Sequence, residues 1–125
     1  TPQSVNKLGG YRVQGKEVDK AESMINTATK LEELGADIIL LECVPTGLAK
    51  KITDAVSIPV IGIGAGNVTD GQVLVMHDLL GISAGHKPKF VKNFMAEASS
   101  IENAFARYDQ AVKCGDFPSP EFSFL

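Results

Sequence analysis

Ile38, Ile39, Leu40 and Leu41 form a short apolar run inside DIILLECVP, and such a run reads as a strand buried on both faces. Glu42 follows at once, then Cys43, and Pro45 cannot continue a central strand. An acid therefore stands at the carboxyl end of a buried parallel strand, the end where α/β barrels and doubly wound sheets keep their chemistry. Two roles are open to Glu42 on these grounds: a catalytic carboxylate, or a strand-end acid that caps a neighbouring helix or pairs with a lysine. SIPVIGIGAG, from Ser57 to Gly66, is a second buried strand running into glycines. Helix, strand, helix, strand with short joints is the rhythm of repeated βα units around a parallel sheet.

Ala21, Met24, Ile25, Ala28, Leu31 and Leu34 recur at steps of three and four, the stripe of an amphipathic helix. Asp19 suits its N-cap, with Glu22 completing a capping box, and Gly35 suits its left-handed stop. Pro45-Thr46-Gly47 makes a tight connection to a second helix over Leu48 to Val56, with Leu48, Ile52, Ala55 and Val56 inward. Asn67 to Gly71 is dense in turn formers. Gln72 to Leu80 is then expected as a third strand, with Val73, Val75 and His77 on one face and Leu74, Met76 and Asp78 on the other. His77 and Asp78 would point opposite ways there, which argues against a catalytic pair. His77 alone suits either a structural hydrogen bond or a direct role. The GIGAGN segment is not a dinucleotide fingerprint, because Asn67 stands where a third small residue is needed and no helix opens after it. Its glycines serve either close approach to a ligand or a bend.

His86-Lys87-Pro88-Lys89 reads as a short solvated basic turn. Phe90, Phe94 and Met95 suggest a helix ending near Ala98. Ser99 with Glu102 forms a capping box for Ile101 to Cys114, whose stripe is Ala104, Phe105, Tyr108, Ala111 and Val112, and Gly115 stops it. The tail DFPSPEFSFL carries three phenylalanines, suited to packing on another surface or subunit, or to tucking back onto its own domain.

With 125 residues, 44% of them hydrophobic, the chain suits one soluble core, a single domain over 1–125: a loop over 1–18, βα units over 19–89, and C-terminal helices and tail over 90–125. A net charge of −3 gives no support for binding nucleic acid or an anionic membrane. No apolar stretch approaches the roughly 18–20 residues that span a bilayer. The first residues lack a signal-peptide core, and Cys43 and Cys114 make no metal spacing. A reduced, cytoplasmic protein is the plain reading. Thr1 to Lys16 shows no periodicity and reads as a loop, either a lid or a frayed terminus. Without an initial methionine, the opening looks cut from something longer.

The blocks TPQSVN, GGYRVQG, LLECVP, IPVIGIGAG, DGQVLVMHDLLG and GHKPKFVKNF occur in that order. In order and spacing they closely resemble the ketopantoate hydroxymethyltransferase family, over nearly the whole chain and least in the Asp19–Gly35 helix and the last helix. The resemblance implies an α/β fold that is the C-terminal part of a (β/α)8 TIM-type barrel. It places that barrel in the phosphoenolpyruvate mutase/isocitrate lyase-like superfamily and implies large homo-oligomers, often decamers. The implied reaction transfers a hydroxymethyl group from 5,10-methylenetetrahydrofolate to 3-methyl-2-oxobutanoate, giving 2-dehydropantoate on the route to pantothenate. Mg2+ chelated by the keto acid stabilises the enolate in such a reaction. The family's catalytic base falls on Glu42, and a carboxylate doing that work needs partial desolvation. Ile63, Val73 and Val75 are the apolar flank suggested for the substrate's isopropyl group.

The family's metal-binding carboxylates, its substrate-binding lysine and serine and a pocket histidine come from the first half of the barrel. The match begins just after that histidine, so no metal ligand is expected in this chain and Mg2+ is expected on the missing half. About three βα units of the barrel remain. An open part-sheet with bare edges is not expected to be stable as a soluble monomer, and the chain alone is expected to be inactive. Three classes follow: the C-terminal part of a working hydroxymethyltransferase, a non-catalytic fragment that self-associates, or a related C–C lyase of the superfamily. LLECVP followed by HKPKFVKNF counts against the last.

Overall fold

A computed structural model describes residues 18–85 and 87–125. The expected opening loop, with its lid-or-terminus alternative, and His86 of the basic turn lie outside these residues. Val18 already belongs to a helix, α1 (Val18–Glu33). Asp19 therefore lies in the first turn rather than at the N-cap, where its carboxylate meets the positive end of the helix dipole. Ala28 is buried, with Ala21, Met24 and Ile25 packed on the same core. Leu31 and Leu34 are 45% and 76% exposed, so the buried stripe is shorter than the sequence pattern. At the end of α1, Gly35 N–H donates to Glu32 O and Ala36 N–H to Leu31 O. Gly35 takes φ +92 to allow this closure.

Strands β1 (Ile39–Glu42), β2 (Val60–Ile63) and β3 (Gly71–Gln72) form a parallel sheet in that order. Helix α2 (Thr46–Ala55) links the first two and packs against α1. It starts earlier than expected because Pro45 supplies an extended N-cap, and it buries Leu48, Ala49 and Ile52 while Ala55 is exposed. The arrangement is an α/β fold.

Register decides which side of the sheet is covered. Ile39 pairs with Val60 and Leu41 with Gly62. Ile39, Leu41 and Val60 carry the first core together with Ala28, Leu48, Ala49 and Ile52. Leu40 pairs with Ile61 and Glu42 with Ile63 on the opposite face. Leu40 is 58% exposed and burial alternates along β1, so the expectation of a strand buried on both faces is corrected. Nothing among the described residues covers Leu40.

The expected strand over Gln72 to Leu80 is also corrected. Only Gly71 and Gln72 pair with β2. Alternation continues as far as Val75, with Leu74 buried between exposed Val73 and Val75, and the chain then winds into one turn, α3 (Met76–Leu79). Leu79 and Leu80 are both buried in a second core. A straight strand would send these neighbours to opposite faces, whereas a helical turn lets both reach one core.

No helix forms over Phe90 to Ala98, which runs as turns. Phe94 N–H donates to Leu79 O and Met95 N–H to Asn93 Oδ1, so the donors of a helical ladder are taken elsewhere. The last helix, α4 (Ile101–Lys113), is capped by Ser100, not Ser99: Ser100 Oγ accepts from Asn103 N–H at 3.0 Å. Glu102 falls in its first turn. Ala104 is buried but Phe105 is 38% exposed. Gly115, at φ +75, ends the helix. The tail tucks back onto its own domain: Phe117 is buried against Phe94 and Tyr108, with centroids 5.3 and 5.8 Å away. Phe122 and Phe124 pack on the same core. No helix among the described residues is long and apolar enough to cross a membrane.

Candidate active site

Glu42 is the last residue of β1 and is exposed. Its register partner, Ile63, is the last residue of β2 and is partly buried. Gln72 pairs with Gly62, and Val73 N–H then donates to Gly62 O. Alternation therefore sets Val73 on the same face as Ile63 and Glu42. Val73 and Val75 are 43% and 51% exposed. The carboxylate thus stands at the carboxyl end of a parallel sheet, on the face that α1 and α2 leave open, beside a strip of apolar side chains. A carboxylate so placed can accept a proton from a ligand lying across that strip.

The glycines after β2 have a local use. A Cβ on Gly64 would lie 2.7 Å from the Phe90 ring, and one on Gly66 would lie 2.7 Å from Thr46 Cγ2 and closer still to Thr46 Oγ1. Both have positive φ, +64 and +75. They allow the loop to turn beneath the chain's own side chains. Gln72 Nε2 holds the same loop by donating to Gly66 O and Thr69 Oγ1, each at 2.9 Å.

His77 and Asp78 stand on α3, where Asp78 accepts from Ser83 Oγ. His77 is exposed. A groove of about 400 Å3 beside α4, lined by Lys92, Glu97, Arg107, Gln110 and Asp116 among others, does not include Glu42. Its Arg107 is paired with Glu97 at 2.8 Å. Among the described residues no three of His, Cys, Asp and Glu converge on a possible metal position.

One feature escaped the sequence reading. Cys43, directly after Glu42, has φ +55, and it is half-buried against the second core. Burial pushes its thiol pKa up, and the neighbouring Glu42 charge pushes the same way. The available signal was Pro45: the residue before a proline is held extended, which leaves Cys43 as the place for the chain to change direction.

The family model for ketopantoate hydroxymethyltransferase matches residues 1–120. The chain belongs to the ketopantoate hydroxymethyltransferase family. It is 64% identical over 124 residues to 3-methyl-2-oxobutanoate hydroxymethyltransferase 2 of Hahella chejuensis, covering 99% of this chain and 47% of the relative. The 3-methyl-2-oxobutanoate hydroxymethyltransferases of Marinobacter nauticus and Photobacterium profundum are similar at 62% and 56% identity, with the same coverage. The chain thus spans about half the length of the curated hydroxymethyltransferases it matches, and the site above lies within the matched part.

Proposed function

We propose that this chain carries the catalytic base of a ketopantoate hydroxymethyltransferase, and that the base is Glu42. The observation that carries the reading is the exposed carboxylate at the carboxyl end of a parallel strand, on the open sheet face, paired with Ile63. On this reading the Glu42 carboxylate takes the single hydrogen from C3 of 3-methyl-2-oxobutanoate. The enolate carbon then bonds to the methylene carbon of 5,10-methylenetetrahydrofolate as one of that carbon's two C–N bonds breaks. Water replaces the remaining C–N bond and supplies the hydroxyl oxygen. The two freed folate nitrogens take up the proton removed from C3 and one proton of the water, and 2-dehydropantoate and tetrahydrofolate leave. Ile63, Val73 and Val75 receive the isopropyl group and exclude water around the carboxylate. Mg2+ supplies Lewis-acid stabilisation of enolate charge in such chemistry. We assign its ligands to the remaining length of the protein and derive no step through it.

The same reading makes the sheet part of a (β/α)8 barrel, whose further strands and helices would cover Leu40 and the free edge of β1. A cytoplasmic homo-oligomer is the proposed setting. The test is hydrogen–deuterium exchange at C3 of the keto acid, followed by proton NMR in the protein at the full length of its relatives. Glu42→Gln is expected to abolish exchange while keto-acid binding stays near normal, and exchange retained by the variant would exclude Glu42 as the base. The 125-residue chain alone is expected to show none.

A second reading draws on the exposed Leu40, Val73 and Val75: an open apolar face suits a self-associating, non-catalytic piece. Sedimentation of the 125-residue chain tests it. Oligomers that dissociate on dilution support self-association, and a monomer at every concentration removes this reading.

A further inference from the structure

Among the described residues Cys43 alone combines a side chain with a positive φ, at +55. Residues held in such a conformation persist where the surroundings over-determine them, and two features do so here. The first is a change in hydrogen-bond phase. Ile39 N–H donates to Pro59 O and Cys43 N–H to Ile63 O, in the every-second-residue phase of a parallel ladder. The very next donor, Val44 N–H, then reaches Gly64 O at 3.1 Å. Gly64 is itself left-handed at φ +64, so the two strands hook over together at their carboxyl ends. The second feature is anchoring. The Cys43 side chain packs with Ile63 against the second core, while Val44, 1% exposed, belongs to the first. The hook is pinned on either side, with Glu42 directly before it.

We propose that Cys43 is a positioning residue, whose side chain, seated in the second core, holds the left-handed hook that fixes the direction of the Glu42 carboxylate. The catalytic half of this statement rests on the reading of Glu42 as the base. Glycine would accept the same φ without strain, as Gly64 does across the ladder, but would leave the hook unanchored. The role asks nothing of the thiol as a nucleophile, and its raised pKa opposes a thiolate at neutral pH.

Two variants test this. Cys43→Gly removes the anchor and can keep the native backbone, and Cys43→Ser keeps nearly the same size. Amide hydrogen exchange of the protein at the full length of its relatives is expected to show Val44 losing protection by about tenfold or more in Cys43→Gly. Leu41, inside the ladder, should be unchanged, and Cys43→Ser should match the parent at both. In the protein at the full length of its relatives, Cys43→Gly is expected to lower kcat for C3 exchange by about ten- to a hundredfold with KM within about twofold. Cys43→Ser should restore it. Full Val44 protection or full kcat in Cys43→Gly overturns the proposal, and so do equal losses in both variants, which would assign the role to the thiol. If the unsubstituted protein shows no exchange, the base reading of Glu42 falls, while Val44 protection still decides whether Cys43 holds the hook.

Discussion

Replacing Gly66 with alanine is the sharpest test of how the loop after β2 is built. The new Cβ would lie 2.7 Å from Thr46 Cγ2 and 2.9 Å from Thr46 Cβ. Thr46 is β-branched and stiff at χ1, and it is tied to the tail: its N–H and its hydroxyl donate to Phe124 O at 2.8 and 2.9 Å. Three costs are involved. A left-handed alanine costs about 1–2 kcal/mol, forcing a methyl into a filled site costs about 1–3 kcal/mol, and a lost Thr46–Phe124 bond costs about 1 kcal/mol. Displacing Thr46 relieves the overlap while breaking the bond, so the last two partly substitute for one another, and about 2–5 kcal/mol is expected in total. Gly35 is the internal control, since it has φ +92 but nothing among the described residues within 4 Å of a new Cβ. Gly35→Ala should therefore cost only the backbone strain, about 1–2 kcal/mol. Urea unfolding followed by circular dichroism measures both, with Gly66→Ala lowering the midpoint by more than about 1 M relative to Gly35→Ala. Adding Thr46→Ala to Gly66→Ala should recover part of the loss, a coupling of about 1–2 kcal/mol. Equal midpoints for the two glycine variants, or zero coupling with Thr46, would refute the account.

Other outcomes follow from the cores and caps. Ile52, fully buried between α1, α2 and the sheet, should lose about 2–5 kcal/mol on Ile52→Ala, whereas Phe105→Ala on the exposed side of α4 should lose clearly less in the same urea series. Ser100→Ala should cost about 1 kcal/mol through the lost N-cap, and Ser99→Ala much less, which separates the two candidate caps. The Tyr108 hydroxyl is buried with no hydrogen-bond partner among the described residues, so Tyr108→Phe should be neutral or stabilising by up to about 1 kcal/mol in thermal melts. Burial also raises the Tyr108 pKa above its ordinary 10.0. The folded state then keeps this proton longer than the unfolded chain, so its contribution is complete below about pH 10 and is lost as pH rises through the folded value. Tyr108→Phe should accordingly flatten the fall in melting temperature on the alkaline side, and an unchanged slope would remove Tyr108 as its source.

Much of this protein was legible in its sequence, and the legible parts are local. Three-to-four spacing marked α1, α2 and α4, since a helix repeats its apolar face within a few residues whatever surrounds it. Gly35 and Gly115 marked two helix ends because a left-handed stop favours glycine. The apolar run before Glu42 placed that carboxylate at a strand end, and the ordered blocks around it pointed to the family to which the chain belongs. Three matters waited for the tertiary structure. The face of β1 bearing Leu40 and Glu42 is open, because coverage depends on where helices pack and not on the strand's own apolarity. Met76 to Leu79 forms a turn instead of extending the sheet, because Leu79 and Leu80 enter one core and a strand would divide them. The left-handed turn at Cys43 depends on Gly64 across the ladder and on a second core assembled from residues far along the chain. Periodicity is written in neighbours, but which face is covered and where a chain must bend are set by contacts between distant segments, and no short window contains both partners.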